Sequence, residues 1–104
     1  MPTKFTFEQK LNMHKDIAED LRDVYKRKNS DYGDSFCKSF SEYGMTMACI
    51  RLEDKLNRLK SLAVHKAKQQ VADESIVDTI MDLANYAIMT LIEIENHKED
   101  ITND

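Results

Sequence analysis

Glycine and proline are scarce in this chain of 104 residues, with two Gly and one Pro, and tryptophan is missing. So little punctuation leaves few places for tight hairpins and favours a small number of long helices. Cysteine is nearly absent too. Cys37 and Cys49 stand alone, with neither a C-x-x-C pair nor Cys/His ligand spacing, and read as reduced, packed thiols. No signal-peptide core is visible, and no stretch reaches the roughly 18 uninterrupted apolar residues of a membrane span. The expected location is the cytoplasm, and no membrane partner is expected. Positive charge is in deficit, with a formal net charge of −4. That excludes a broad electrostatic grip on extended nucleic acid or an anionic bilayer.

What is there fits one small folded domain over residues 1–104, with 41% hydrophobic and 33% charged residues. The charge is uneven: residues 51–68 are basic and 73–104 acidic, and residues 98–104 read as a frayed tail. Thr6-Phe7-Glu8-Gln9 has the S/T-x-x-E/Q form of a capping box. Beyond it Phe7, Leu11, His14, Ala18, Leu21 and Tyr25 recur at helical spacing to about Lys28. Asn29 to Ser35 reads as a turn or loop, where Gly33 permits positive φ and Asn, Asp and Ser side chains can satisfy local backbone groups. A short helix over Phe36–Tyr43 closes at Gly44. A second long helix runs from Met45 to His65, with Met45, Cys49, Leu52, Leu56, Leu59 and Ala63 as its core stripe. Lys66–Ala72 is a polar connection, and Asp73 is placed as the N-cap of the next helix.

The last helix, Glu74 to Glu95, organises the chain. Ile76, Ile80, Leu83, Ala84, Ala87, Leu91 and Ile94 form one broad apolar face, extended by Val77, Met81, Ile88, Met89 and Ile92. Three long helices and a short one cannot cover so apolar a helix. The expectation is an all-α bundle that forms a homo-oligomer, dimer or tetramer, through residues 76–94. Against that apolar surface Glu74, Asp78, Asp82 and Asn85 line up in one polar row, which is costly unless a cation or donors receive it.

Two readings of the row stay open. Asp78 and Asp82 can pair with Arg51, Lys55 or Arg58 of the preceding helix. Alternatively Asp78 and Asp82 bind Mg²⁺, with Asp54 or Glu53 from the facing helix completing the shell and Glu74 in reserve. The loop has two readings as well. It is an ordinary capped turn, or it is a ligand loop in which Lys28 meets phosphate, Tyr32 or Phe36 stacks on a base, and Asn29, Asp31 or Ser35 read polar edges. Arg51, Lys55 and Arg58 are either solvated surface or a phosphate clamp. His14, His65 and His97 have no ligand or nucleophile partner in sequence.

The phrases YKRKNSDYGDSF (25–36), RLEDKLNRLKSL (51–62) and ESIVDTIMDLANYAIMTLIEI (74–94) resemble the nucleotide-modification-associated domain 1 family of phages and bacteria. The arrangement is also similar, more distantly, to all-α nucleoside-triphosphate pyrophosphohydrolases of MazG and dimeric dUTPase type. Those enzymes bind Mg²⁺ through acidic motifs on two helices. The nearest counterparts here are Asp54-x-x-Asn57 and Asp78-x-x-x-Asp82.

The resemblance implies a nucleotide site between the two long C-terminal helices under the Asn29–Phe36 loop, with Asp34, Asn85 and Tyr86 also lining it. The leading expectation is Mg²⁺-dependent cleavage of a nucleotide phosphoanhydride, with Asp54, Asp78 and Asp82 holding the metal. The uncharged Asn57 and the four-residue spacing of the second pair motivate an alternative. That alternative is a non-catalytic oligomeric sponge that sequesters a host signalling nucleotide as an anti-defence device, in the host cytoplasm if phage-encoded. A third expectation is a structural interaction protein whose acidic row is paired internally.

Overall fold

The computed structural model describes residues 4–65 and 74–98, and every regular element among them is a helix. The helices are α1 (Phe7–Arg27), α2 (Gly33–Tyr43), α3 (Met45–His65) and α4 (Glu74–Asn96). The fold is all-α. The expected connection at 66–72, the Asp73 cap and residues 99–104 of the tail lie outside the described residues.

α1 begins where the capping box places it. Thr6 Oγ1 accepts from the Gln9 amide at 3.1 Å, and Gln9 Oε1 accepts from the Thr6 amide at 2.8 Å. α2 starts three residues earlier than expected, at Gly33, whose φ is not positive. The expectation of a left-handed glycine at 33 is therefore corrected. Gly33 is needed for space, since a Cβ there would stand 2.8 Å from the Tyr25 ring and closer still to the Asn29 side chain. Gly44 is the glycine that uses its freedom. It ends α2 at φ 70°, and its amide bonds Phe40 O at 2.7 Å.

α4 is the central helix, in contact with α1, α2 and α3, and its most extensive partner is α3. The core lies between α2, α3 and α4: Phe36, Phe40, Met47, Ala48 and Met89 are buried there, with Tyr25, Tyr32 and Tyr86 packed against them. Two expected faces are rotated. On α3, Met45, Cys49, Leu56 and Ala63 are exposed, and the inward seam runs through Ala48, Leu52, Lys55, Leu59 and Leu62. Reading only apolar residues missed that a lysine holds the middle of this seam.

On α4 the reversal is larger. Ile76, Thr79, Asn85, Met89, Thr90 and Glu93 are buried, while Ile80, Ala87, Leu91 and Ile94 of the expected core face are exposed. Of the expected polar row, Glu74 and Asp78 are exposed, Asp82 is half-buried and Asn85 is buried, and the polar residues that do face inward find partners. Thr79 and Thr90 donate to the carbonyls of Ser75 and Tyr86, and no buried side-chain polar atom among the described residues lacks a hydrogen bond.

The apolar faces left outside are extensive. Phe7 is 76% exposed, Leu11 53% and Leu91 66%. The radius of gyration is 16.4 Å, against about 13 Å for a compact domain of this length. α4 also carries an 18-residue window of mean hydropathy 1.3, long and apolar enough to cross a bilayer by composition alone. Its contacts with all three other helices and its inward acids are those of a bundle's central element, and they do not suggest a spanning segment.

Candidate functional site

Three elements bring a charged pair onto an aromatic cluster. The α1–α2 turn is tied by the Asp31 amide to Lys28 O at 3.1 Å. Reciprocal bonds close it, from the Asp34 amide to Asn29 O at 2.8 Å and from Asn29 Nδ2 to Asp34 Oδ1 at 3.0 Å. This clamp delivers Tyr32 to α4. There its ring stacks on Tyr86, centroids 5.3 Å apart and planes 18° apart, with Phe36 tilted against Tyr86 at 5.8 Å. Such pairs contribute about 0.5–1.5 kcal/mol beyond the area they bury.

Asp82, one turn before Tyr86, meets two donors. Its Oδ1 accepts from the Tyr32 hydroxyl and its Oδ2 from Lys55 Nζ, each at 3.3 Å. Lys55 Nζ also lies 5.8 Å from the centroid of the Tyr86 ring, within cation–π range. The Lys55 and Asp82 side chains are 27% and 30% exposed, so the pair is half-buried, and its ends remain open to a solute. Burial first, and then the Asp82 carboxylate, hold the Tyr32 phenol well above the ordinary range, while a hydrogen bond with Asn85 acts the other way. Tyr32 is thus kept as a proton donor to Asp82.

Of the residues expected at a site, Tyr32, Phe36, Lys55, Asp82 and Tyr86 converge. Arg51 and Arg58 stand one turn to either side of Lys55 and are exposed. Lys28, Asp31, Asp34 and Ser35 are exposed on the turn and at the start of α2, and Asn29 is half-buried within the clamp. Asn85 is buried, and its Nδ2 donates to Leu21 O at 3.1 Å, fastening α4 to α1. Glu53, Asp54, Glu74 and Asp78 are exposed. Asp54, Asp78 and Asp82 are not among the described residues that gather three ligand atoms within 4.8 Å of one another. An open, mostly apolar groove of about 510 Å³ runs beside Glu53, between Leu52 and Leu56 of α3 and Leu83 of α4.

A second polar cluster escaped the sequence reading. Cys37 of α2, Glu93 of α4 and His97 just past its end present ligand atoms within 4.8 Å of one another. Glu93 is only 6% exposed. His97 Nε2 lies 3.3 Å from Glu93 Oε1 and 3.3 Å from Ser41 Oγ, and its ring packs on Phe40 at 5.4 Å. Asn96 Nδ2 donates to Glu93 Oε1 at 3.1 Å and approaches Cys37 Sγ at 3.9 Å. A hydrogen bond with Glu93, then burial, push the Cys37 thiol above its usual value. Glu93 and His97, four apart, extend the row from Glu74 through Asp82, which was a readable signal. Cys37, 56 residues before Glu93, gave none.

The family model described as nucleotide modification associated domain 1 matches residues 28–94. That span takes in the α1–α2 turn, all of α2 and α3, and α4 as far as Ile94, with the Lys55–Asp82 pair inside it. No curated protein and no solved structure is significantly similar to the chain. With well over half of its length matched, the chain belongs to the nucleotide modification associated domain 1 family.

Proposed function

We propose that this chain is a nucleotide-binding domain that holds its ligand between α3 and α4 without cleaving it. The observation that carries this reading is the half-buried Lys55–Asp82 pair, set against the stacked Tyr32 and Tyr86 rings. A nucleotide offers a phosphate for a lysine and a flat base for an aromatic face, and this cluster presents both chemistries side by side. The 3.3 Å separation is longer than the roughly 2.7–2.9 Å of a tight charge-assisted bond. Lys55 can therefore turn to a phosphate, with Arg51 and Arg58 on the adjoining turns. Asp82 then keeps the Tyr32 hydroxyl and is free to accept a base or sugar donor. The family's association with nucleotide modification agrees with such a ligand.

Binding without cleavage is preferred because the one half-buried acid of the row is held by a lysine and a phenol. A second reading, Mg²⁺-dependent pyrophosphohydrolysis, has one observation in its favour: the closely packed α3 and α4 carry Glu53 and Asp54 on one helix and Asp78 and Asp82 on the other. Mg²⁺ tolerates a few carboxylates and completes its shell with water and phosphate oxygens. The exposed Ile80, Leu91 and Ile94 of α4 and Phe7 and Leu11 of α1 favour a homo-oligomer in which these faces meet a second copy.

Thermal shift against canonical, modified and cyclic nucleotides, each with Mg²⁺ and with EDTA, separates the readings. A ligand at about 100 times its Kd adds roughly 2.7 kcal/mol. Stabilisation that survives EDTA and is lost in Lys55→Met supports the binder, and the ligand should return intact after denaturation. Stabilisation that needs Mg²⁺, followed by pyrophosphate release, supports the hydrolase. No shift with any nucleotide leaves an interaction protein with an internally paired row.

A further inference from the structure

We propose that Cys37, Glu93 and His97 form a binding site for a divalent transition metal of the Zn²⁺ class, separate from the nucleotide site and about three helical turns along α4 from Asp82. The donor set is one thiol, one carboxylate and one imidazole. That mixture suits Zn²⁺ and its neighbours, and it is a poor choice for Mg²⁺ or Ca²⁺, which take oxygen donors.

The geometry is close to closed. With the three ligand atoms within 4.8 Å of one another, some point lies within about 2.8 Å of all three. Ordinary Zn²⁺ bonds are about 2.0–2.3 Å, so side-chain rotations of under about 1 Å complete the set. Both elements that supply ligands are anchored: Phe40 on α2 packs in the core and against His97, and Met89 holds α4 one turn before Glu93.

Two further features separate this cluster from an ordinary hydrogen-bond network. Glu93 is a buried carboxylate whose ion-pair partner among the described residues is an imidazole, His97, whereas Asp82 has a lysine. Asn96 also points one amide at both anionic donors, the outer-shell support that metal ligands commonly have. Ser41 donates to Cys37 O at 2.9 Å, so its oxygen is placed to accept the Nε2 proton of His97. Metal binding replaces that inward proton and the one on sulfur. The Cys37 thiol releases one proton to solvent, the neutral His97 ring carries its proton on Nδ1, and the dication meets two anionic donors and one neutral one. No electron moves. Three protein ligands leave a fourth position for water.

Titration of chelator-stripped protein with Co²⁺ tests the site, because a cobalt–thiolate bond gives a near-ultraviolet charge-transfer band and tetrahedral cobalt gives intense visible bands. The expected result is one equivalent of Co²⁺ bound with both signatures. One equivalent of Zn²⁺ should erase them and raise Tm by several degrees. Cys37→Ser should lose the charge-transfer band and Cys49→Ser should keep it. Asn96→Leu should weaken binding about 10–100-fold while leaving the band's position unchanged. Circular dichroism checks that each variant folds. A wild-type protein that shows no charge-transfer band in excess Co²⁺ overturns the proposal, as does a band that persists in folded Cys37→Ser.

Discussion

Two acids on one face of α4, Asp82 and Glu93, are treated differently by the same fold. Asp82 is half-buried and meets a lysine together with the Tyr32 phenol. Glu93 is almost fully buried, lies beside the Cys37 thiol and the His97 ring, and accepts from the Asn96 amide. The first arrangement is an electrostatic pair, which the proposed nucleotide would enter by exchanging partners. The second gathers a thiol, a carboxylate and an imidazole, the donor set of the proposed metal site. One helix face thus presents two chemistries, because α3 supplies its partner at one end and α2 at the other.

The substitution expected to have the largest effect acts on the wall the two clusters share. Phe36 touches Tyr86 at the first cluster and Phe40 behind the second. Phe36→Ala should cost about 3–5 kcal/mol, measured by urea unfolding, and should weaken both sites together. Equal loss at both would show that they are built on one core, whereas loss at one alone would show that they are independent.

Next in size is Lys55→Met. Breaking a half-buried pair falls between the surface and the buried cases, so about 1–2 kcal/mol is expected. Nucleotide-dependent stabilisation should vanish, and Co²⁺ binding at Cys37 should be unchanged.

Tyr32→Phe sharpens the comparison through pH. Removing one hydrogen bond should cost about 0.5–1.5 kcal/mol near neutrality. The Tyr32 phenol is raised in the folded state, so its neutral form contributes stability fully below the ordinary phenol value near 10, and that contribution is lost as pH rises above it. Wild-type Tm should therefore fall more steeply above pH 10 than that of Tyr32→Phe. Parallel curves would contradict this coupling to Asp82.

The smallest effect on folding is expected far from both clusters. Leu11→Ser, on a face half-exposed in the single chain, should change monomer stability by under about 0.5 kcal/mol. Light scattering should nevertheless show weaker self-association, which would mark the outer faces of α1 and α4 as the interface.

Local signals carried the helix boundaries well. The Thr6–Gln9 box, the Gly44 stop and the two long periodic runs each have a mechanism within a few residues, and all appear in the fold. Facing was harder to read. Periodicity identifies an apolar stripe, but it does not say whether the chain's own helices or another surface will cover it. On α4, Ile80, Ala87, Leu91 and Ile94 of the expected apolar face are outward while Asn85 and Glu93 are inward. Lys55 was legible as a partner for Asp82 because both sit on long helices that had to pack. In the second cluster the Glu93–His97 spacing was readable but Cys37 was not, since its place there depends on how α2 crosses the end of α4. No spacing within either helix encodes that crossing.

The most direct measurement of the central claim is isothermal titration of nucleotides in EDTA into Cys37→Ser protein, which removes the proposed metal site from the comparison, with Lys55→Met in the same background as control. The account predicts saturable binding in EDTA that the Lys55 substitution abolishes, with the nucleotide recovered intact. Binding that appears only with Mg²⁺, or that is indifferent to Lys55, would contradict it.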